Sequence, residues 1–76
     1  MIISEIIRII EKQLNLSQNT INSETTFEEI SSWDSLNHAV IINLIEQHFD
    51  INFELDEMLD FENIEDMRKA VAQKIN

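Results

Sequence analysis

Isoleucines open the chain at a helical beat. Ile2, Ile3, Ile6, Ile7, Ile10 and Leu14 recur three and four residues apart, with Ile9 at the edge of the stripe, while Arg8, Glu11 and Asn15 take the opposite side. This spacing predicts an amphipathic helix over residues 2–15. Isoleucine is a mediocre helix former, so burial has to hold it. The beat is lost over residues 16–34. That stretch is rich in Asn, Ser and Thr, whose side chains bond back to their own backbone. It reads as a long loop with Phe27 and Ile30 as anchors into the core. Thr26 and Glu29 are spaced as a capping box for one short turn. So long a loop needs a reason, and joining two helices that run in the same direction would supply one.

Periodicity returns over residues 35–49. At 100° per residue, Ile42, Ile45 and Phe49 form a core face, with Ile41 and Ala39 on its flanks. Leu36, Val40, Asn43, Leu44 and Gln47 fall on the other side. A simple amphipathic helix has no such second, partly apolar face. Asp50 or Asn52 supplies the turn that follows. "ELDEMLD", residues 54–60, suits a short helix with Leu55, Met58 and Leu59 inward. Asn63, with Asp66 at the third helical position, predicts the N-cap of a last helix. Its stripe is Ile64, Met67, Val71 and Ile75. Arg68, Lys69 and Lys74 lie mostly in its second half, where the helix dipole favours cations. The sum is an all-α fold: three longer helices, one short helix, and a long loop between the first and second. No repeat or second domain is visible, so residues 1–76 are expected to form one domain.

Composition narrows the chemistry. A chain of 76 residues buries only about 60% of its unfolded surface, which leaves little room for an enclosed catalytic pocket. Glycine and proline are absent, so turns with positive φ must rest on Asn or Asp. There is no cysteine, which excludes disulfides and thiolate metal sites. Any thiol chemistry has to come from a cofactor. His38 and His48 do not share a metal-ligand spacing, so no metal site is expected. The apolar runs are too short for a spanning helix or a signal segment, and a cytoplasmic location is the expectation. Net charge is −10. No Lys or Arg lies between Lys12 and Arg68, and thirteen of the fifteen acids do. Such a field opposes nucleic acid and anionic membrane, and it attracts basic protein surfaces.

The residues that invite a functional reading stand at the mouth of the second helix, in "WDSLNHAVIINLIEQHF". A helix start needs one capping residue, and both Asp34 and Ser35 are of a type that can serve. Ser35 stands at that start on an exposed first turn, and either caps the helix or has something attached to its hydroxyl. Asp34-Ser35-Leu36 at this place in a short, acidic, helical chain resembles the acyl carrier protein family, the phosphopantetheine-binding helical domain. "IEQHFDINF" and "FENIEDMRKAV" resemble the family's close of the second helix and start of the last. The likeness covers nearly the whole chain. The W-D-S-L form resembles stand-alone carriers outside primary fatty-acid synthesis.

The resemblance implies a four-helix acyl-carrier-like bundle and a 4′-phosphopantetheine group, drawn from coenzyme A, on Ser35. It implies an acyl intermediate held there as a thioester. Asp34 would be part of what the phosphopantetheinyl transferase reads. Leu36 would be touched by partner enzymes, and the second face of the helix, read from its phase, is expected to extend that surface to the loading and transfer enzymes through Asn37, Val40, Asn43, Leu44 and Gln47. The chain itself would be a non-catalytic monomer. An aminoacyl or peptidyl carrier with the same arm, and an unmodified acidic interaction module in which Ser35 only caps, remain as alternatives. Trp33 is expected to anchor the loop as a staple onto the second helix. His38 lies one turn after Ser35, but no orienting group or oxyanion site accompanies it, so a nucleophile pair is not expected. His48 reads as a solvated surface residue. Family members in fatty-acid synthesis bear several acids along the second helix. Here Asn37, Val40 and Gln47 stand where acids are common, and Glu46 is the sole acid between Ser35 and Phe49. That departure points to a specialised pathway such as polyketide, aminoacyl or surface-polysaccharide assembly.

Overall fold

The computed structural model describes residues 1–75; the last residue of the 1–76 span, Asn76, lies outside them. Four helices follow in order: α1 (Ile2–Leu14), α2 (Ser35–Phe49), α3 (Leu55–Asp60) and α4 (Ile64–Lys74), with one 3-10 turn at Phe27–Glu29 in the long loop. Among the described residues there is no β-strand, only an isolated antiparallel bridge between Thr26 and Asn63. The all-α reading therefore holds.

The expected positive-φ residues are Asn15 (55°), Asn19 (66°) and Asp50 (56°), all in the left-handed region that Asn and Asp tolerate without glycine. Asn15 and Asp50 end α1 and α2 in the same way. The next N–H turns back five residues, from Leu16 to Glu11 (2.8 Å) and from Ile51 to Glu46 (3.0 Å). Leu16 and Ile51 then pack against the core, as this kind of helix end favours.

Helix α1 packs on both α2 and α4. The centre of the core is Ile6, Ile10, Ile41, Ile45, Ile64, Met67 and Val71, all fully buried. Four details differ from the expectation drawn from periodicity. Ile41 is at the centre of the α2 face rather than its flank, Phe49 is half-buried, and Ala39 is exposed. In α4 the stripe is closed by Ala70, while Ile75 lies past the helix end and is 44% exposed. In α3, Leu55 and Leu59 are 68% and 76% exposed, and only Met58 turns inward. A helix of six residues has one contact stripe. Here Phe53 and Phe61, which flank it and meet edge to face at 5.3 Å, fill the space two leucines would have taken.

The fourth difference concerns the direction of the helices. Gln13 near the end of α1 reaches Asn37 at the start of α2 (3.5 Å), and Glu5 near the start of α1 meets His48 near the end of α2 (2.9 Å). Helices α1 and α2 are therefore antiparallel. The loop is long for another reason: it crosses to α4. Phe27 N–H donates to Glu62 O, Ile64 N–H to Thr25 O and Glu65 N–H to Ser23 O, at 2.9–3.3 Å. On the way it sinks Ile21 and Ile30 into the core.

Candidate functional site

Local chemistry builds the start of α2. The Asp34 backbone is extended (φ −123°, ψ −178°), and its carboxylate accepts the Asn37 N–H at 2.8 Å. Asp34 is thus the N-cap, and Ser35 is the first helical residue with its hydroxyl outside the cap. The Asn37 amide donates to Ser32 O (3.0 Å), which fixes the loop as it reaches the helix. Trp33, just before the cap, and His38, at the fourth helical position, complete a staple. The indole Nε1–H donates to His38 Nδ1 at 3.1 Å. Trp33 also stacks on Phe27, with centroids 4.2 Å apart and planes within 4°.

The starts of α2 and α4 are chemically opposite. In α4 the first three N–H groups all have partners: Ile64 and Glu65 donate to loop carbonyls, and Asp66 donates to the Asn63 side chain (2.9 Å). In α2 only the third, Asn37, is taken. Among the described residues the Ser35 and Leu36 N–H groups have no protein partner, beside an exposed serine hydroxyl. A phosphodiester on that oxygen would sit against two free donors and the positive end of the dipole. The residues present therefore fit a phosphopantetheinyl group.

An open groove of about 570 Å³ runs from Ser35 toward α3, lined by Phe27, Trp33, Asp34, His38, Met58, Leu59 and Phe61. Of these, the sequence pointed to Asp34 as a candidate cap and Trp33 as an anchor. It left Met58, Leu59, Phe61 and His38 out of the site. The staple spacing from Trp33 to His38 is the signal that would have found the histidine. His38 is no base for Ser35: Nδ1 is occupied by Trp33, and Nε2 faces the Met58 carbonyl at 3.3 Å. His48 is exposed, as expected, and is paired with Glu5, whose carboxyl lies below its ordinary range chiefly because of that hydrogen bond.

The second face of α2 is present, but it is uneven. Leu36 is 74% exposed, and Asn43 and Gln47 are exposed and joined by a 3.2 Å hydrogen bond. Asn37, Val40 and Leu44 are half-buried. Leu44 lines a groove against Ile9, Lys12 and Gln13 of α1. The one acid of this helix, Glu46, accepts the Phe53 N–H (2.8 Å) and holds the link to α3. Among the described residues no cluster of three or more His, Asp or Glu side chains is placed to hold a metal ion.

Comparison with known proteins agrees with this geometry. The family model described as "Phosphopantetheine attachment site" matches residues 4–71. An acyl carrier protein homolog from Mycoplasmopsis pulmonis (strain UAB CTIP) is 35% identical over 66 residues, which span 87% of this chain and 89% of the relative. All-helical and matched over most of its length by both, the chain belongs to the acyl carrier protein family, whose prosthetic group is 4′-phosphopantetheine.

Proposed function

We propose that residues 1–76 form one carrier domain and that Ser35 is its attachment serine. In this reading the chain carries an acyl intermediate as a thioester on the phosphopantetheine arm, in the cytoplasm and as a monomer. The observation that supports it best is the first turn of α2, where the cap is supplied by Asp34 and the N–H groups of Ser35 and Leu36 have no partner among the described residues. Attachment is a transfer to oxygen. The Ser35 Oγ–P bond forms as the pyrophosphate bond of coenzyme A breaks, adenosine 3′,5′-bisphosphate leaves, and the serine proton is released to solvent. When bound, the arm supplies the thiol that a chain without cysteine lacks.

The partners in this reading are a phosphopantetheinyl transferase, which meets Asp34, Ser35 and Leu36, and loading and transfer enzymes, which meet Leu36, Asn37, Val40, Asn43, Leu44 and Gln47. A specialised pathway fits better than primary fatty-acid synthesis. The exposed face of α2 carries no acid, because Glu46 is engaged by Phe53. Nucleic acid and anionic membrane are disfavoured by a net charge of −10. Among the described residues no helix is long and apolar enough to cross a membrane.

Mass spectrometry tests the assignment. With coenzyme A, magnesium and a broad-specificity transferase, the wild type should gain one phosphopantetheine. Ser35→Ala should fold and gain none. No adduct at all would favour the unmodified acidic module instead, and an adduct on Ser31 or Ser32 would overturn Ser35 as the attachment serine.

A further inference from the structure

The five Lys and Arg side chains divide between two helices. On α4, Arg68 is bonded to Glu65 and Lys74 to Glu57, and Lys69 lies along a groove with Asp60, Glu62 and Asp66. On α1, Arg8 and Lys12 stand one turn apart and exposed, and among the described residues neither is in an ion pair. The acids within α1 and α2 are engaged elsewhere. Glu5 is bonded to His48 (2.9 Å), Glu11 accepts the Asn19 N–H (3.1 Å) and Glu46 accepts the Phe53 N–H (2.8 Å). A chain of net charge −10 thus keeps two cations without a counter-charge on one side of α1.

Those cations rim a groove. Ile9, Lys12 and Gln13 of α1 and Leu44, Gln47 and His48 of α2 line about 560 Å³ of open space. It continues past Ile9, Lys12 and His48 to Glu5 and Arg8. Ile9 and Leu44, both half-buried, supply its apolar surface. Because α1 and α2 are antiparallel, the groove follows their seam. From Glu5 to Gln13 it runs about 12 Å, the rise of eight helical residues. That is room for two turns of a third helix, whose apolar stripe at three-four spacing would meet Ile9 and Leu44. Carboxylates flanking such a stripe would reach Arg8 and Lys12, whereas a basic helix would set like charge against both. The Gln13–Asn37 contact (3.5 Å) lies at the end of the seam nearest Ser35, so a helix seated in the groove leaves the serine open.

We propose that the α1–α2 groove docks an acidic amphipathic helix of a partner protein, a surface of opposite sign to the rest of this molecule. The chain's own α3 has that character, with Leu55 and Leu59 exposed between Asp56 and Asp60. A second copy is nevertheless disfavoured as the occupant, since each copy carries −10. Docking here does not depend on what Ser35 carries, so it is tested on the unmodified chain and stands or falls apart from the attachment reading.

The probes are two synthetic helical peptides that share one leucine stripe, flanked by Glu in the first and by Lys in the second. Each is titrated into the full chain and followed by NMR. The Glu-flanked peptide should move the signals of Ile9, Lys12, Gln13, Leu44 and Gln47, and the Lys-flanked peptide should leave them in place. Arg8→Glu combined with Lys12→Glu should weaken the first peptide about tenfold, as two exposed attractions become two repulsions. Added NaCl should weaken it only a few-fold, because only two cations take part. Arg8→Gln with Lys12→Gln removes charge without reversing it and should cost about threefold; it decides the matter if the reversed chain does not fold. A Lys-flanked peptide seated at these residues, a Glu-flanked peptide that moves other signals or none, or unchanged affinity in the folded variants would overturn the proposal. So would self-association of the wild type in sedimentation that Lys12→Glu abolishes, which would make a second copy the occupant.

Discussion

Asp34 frees Ser35. By accepting the Asn37 N–H it takes over the capping that the serine hydroxyl would otherwise perform. Asp34→Ala should lower stability by roughly 1 kcal/mol, the usual cost of a lost N-cap. Asp34→Asn keeps the cap and removes the charge, so its thermal midpoint should stay near wild type. If the transferase reads the carboxylate, Asp34→Asn should still slow modification. Paired melting curves and modification rates check this, and an Asp34→Asn variant as unstable as Asp34→Ala would show that charge, not hydrogen bonding, holds the turn. Residue-scale features of this kind are the most legible in the sequence. The Asp34 cap, the Thr26–Glu29 box and the Asn63–Asp66 cap each lie within four residues of chain, and all three are formed. The Glu54–Glu57 box of α3 escapes such a reading because glutamate is not a usual capping residue. His38 invites comparison with a catalytic base by its spacing from Ser35, yet its bonds to Trp33 and Met58 make it a structural tie.

Among the elements, α2 carries the most information. Its buried face is isoleucine, and its outer face has amides, Ala39, Leu36 and the half-buried Val40 and Leu44. An enzyme that docks here meets apolar groups and amides rather than carboxylates, so association should depend only weakly on salt. Val40→Glu should weaken it by roughly 1–3 kcal/mol, the cost of desolvating a carboxylate with no partner, and leave the fold intact. Loading kinetics of wild type and Val40→Glu at low and high salt measure both effects. A wild-type rate that collapses with salt would return recognition to the acidic loops. Element boundaries are readable from periodicity, but facing is less so. Leu55 and Leu59 read as inward because they are leucines, and nothing in six residues reveals that Phe53 and Phe61 already fill the space. The direction of α2 against α1 is also hidden, since it depends on where the loop travels, and that is set by α4.

At the scale of the whole molecule the balance is between ion pairs and self-repulsion. Among the described residues three pairs are formed, Glu5–His48, Glu65–Arg68 and Glu57–Lys74, none of them fully buried. Exposed pairs are screened by solvent and contribute little, while a net charge of −10 acts on the entire chain. Added NaCl should therefore raise the thermal midpoint, because screening relieves more repulsion than attraction. Acid acts in the other direction. Hydrogen bonds hold the Glu57, Glu65, Glu5 and Glu29 carboxyls below the ordinary value of 4.5, from Lys74, Arg68, His48 and the Thr26 backbone respectively. Groups lowered in the folded state give stability that is fully present above 4.5 and lost as pH falls through their folded values. Melting curves over pH and salt should thus show a decline below about 4.5 that Glu57→Gln makes shallower. A midpoint that falls with salt at neutral pH would mean the pairs outweigh the repulsion.

The backbone bonds between the long loop and the start of α4 also set the timing of folding. They join positions roughly forty residues apart, and the entropy of closing such a ring has to be met before any of those bonds form. The antiparallel α1 and α2 can start from a shorter ring, 24 residues from Gln13 to Asn37, and zip outward from there. The segment that reads as a connector is then the last to settle, and the first turn of α4 waits for it. Substitutions along Ser23–Phe27 should therefore change how fast the native protein comes apart more than how fast it forms, which unfolding and refolding rates of such variants check.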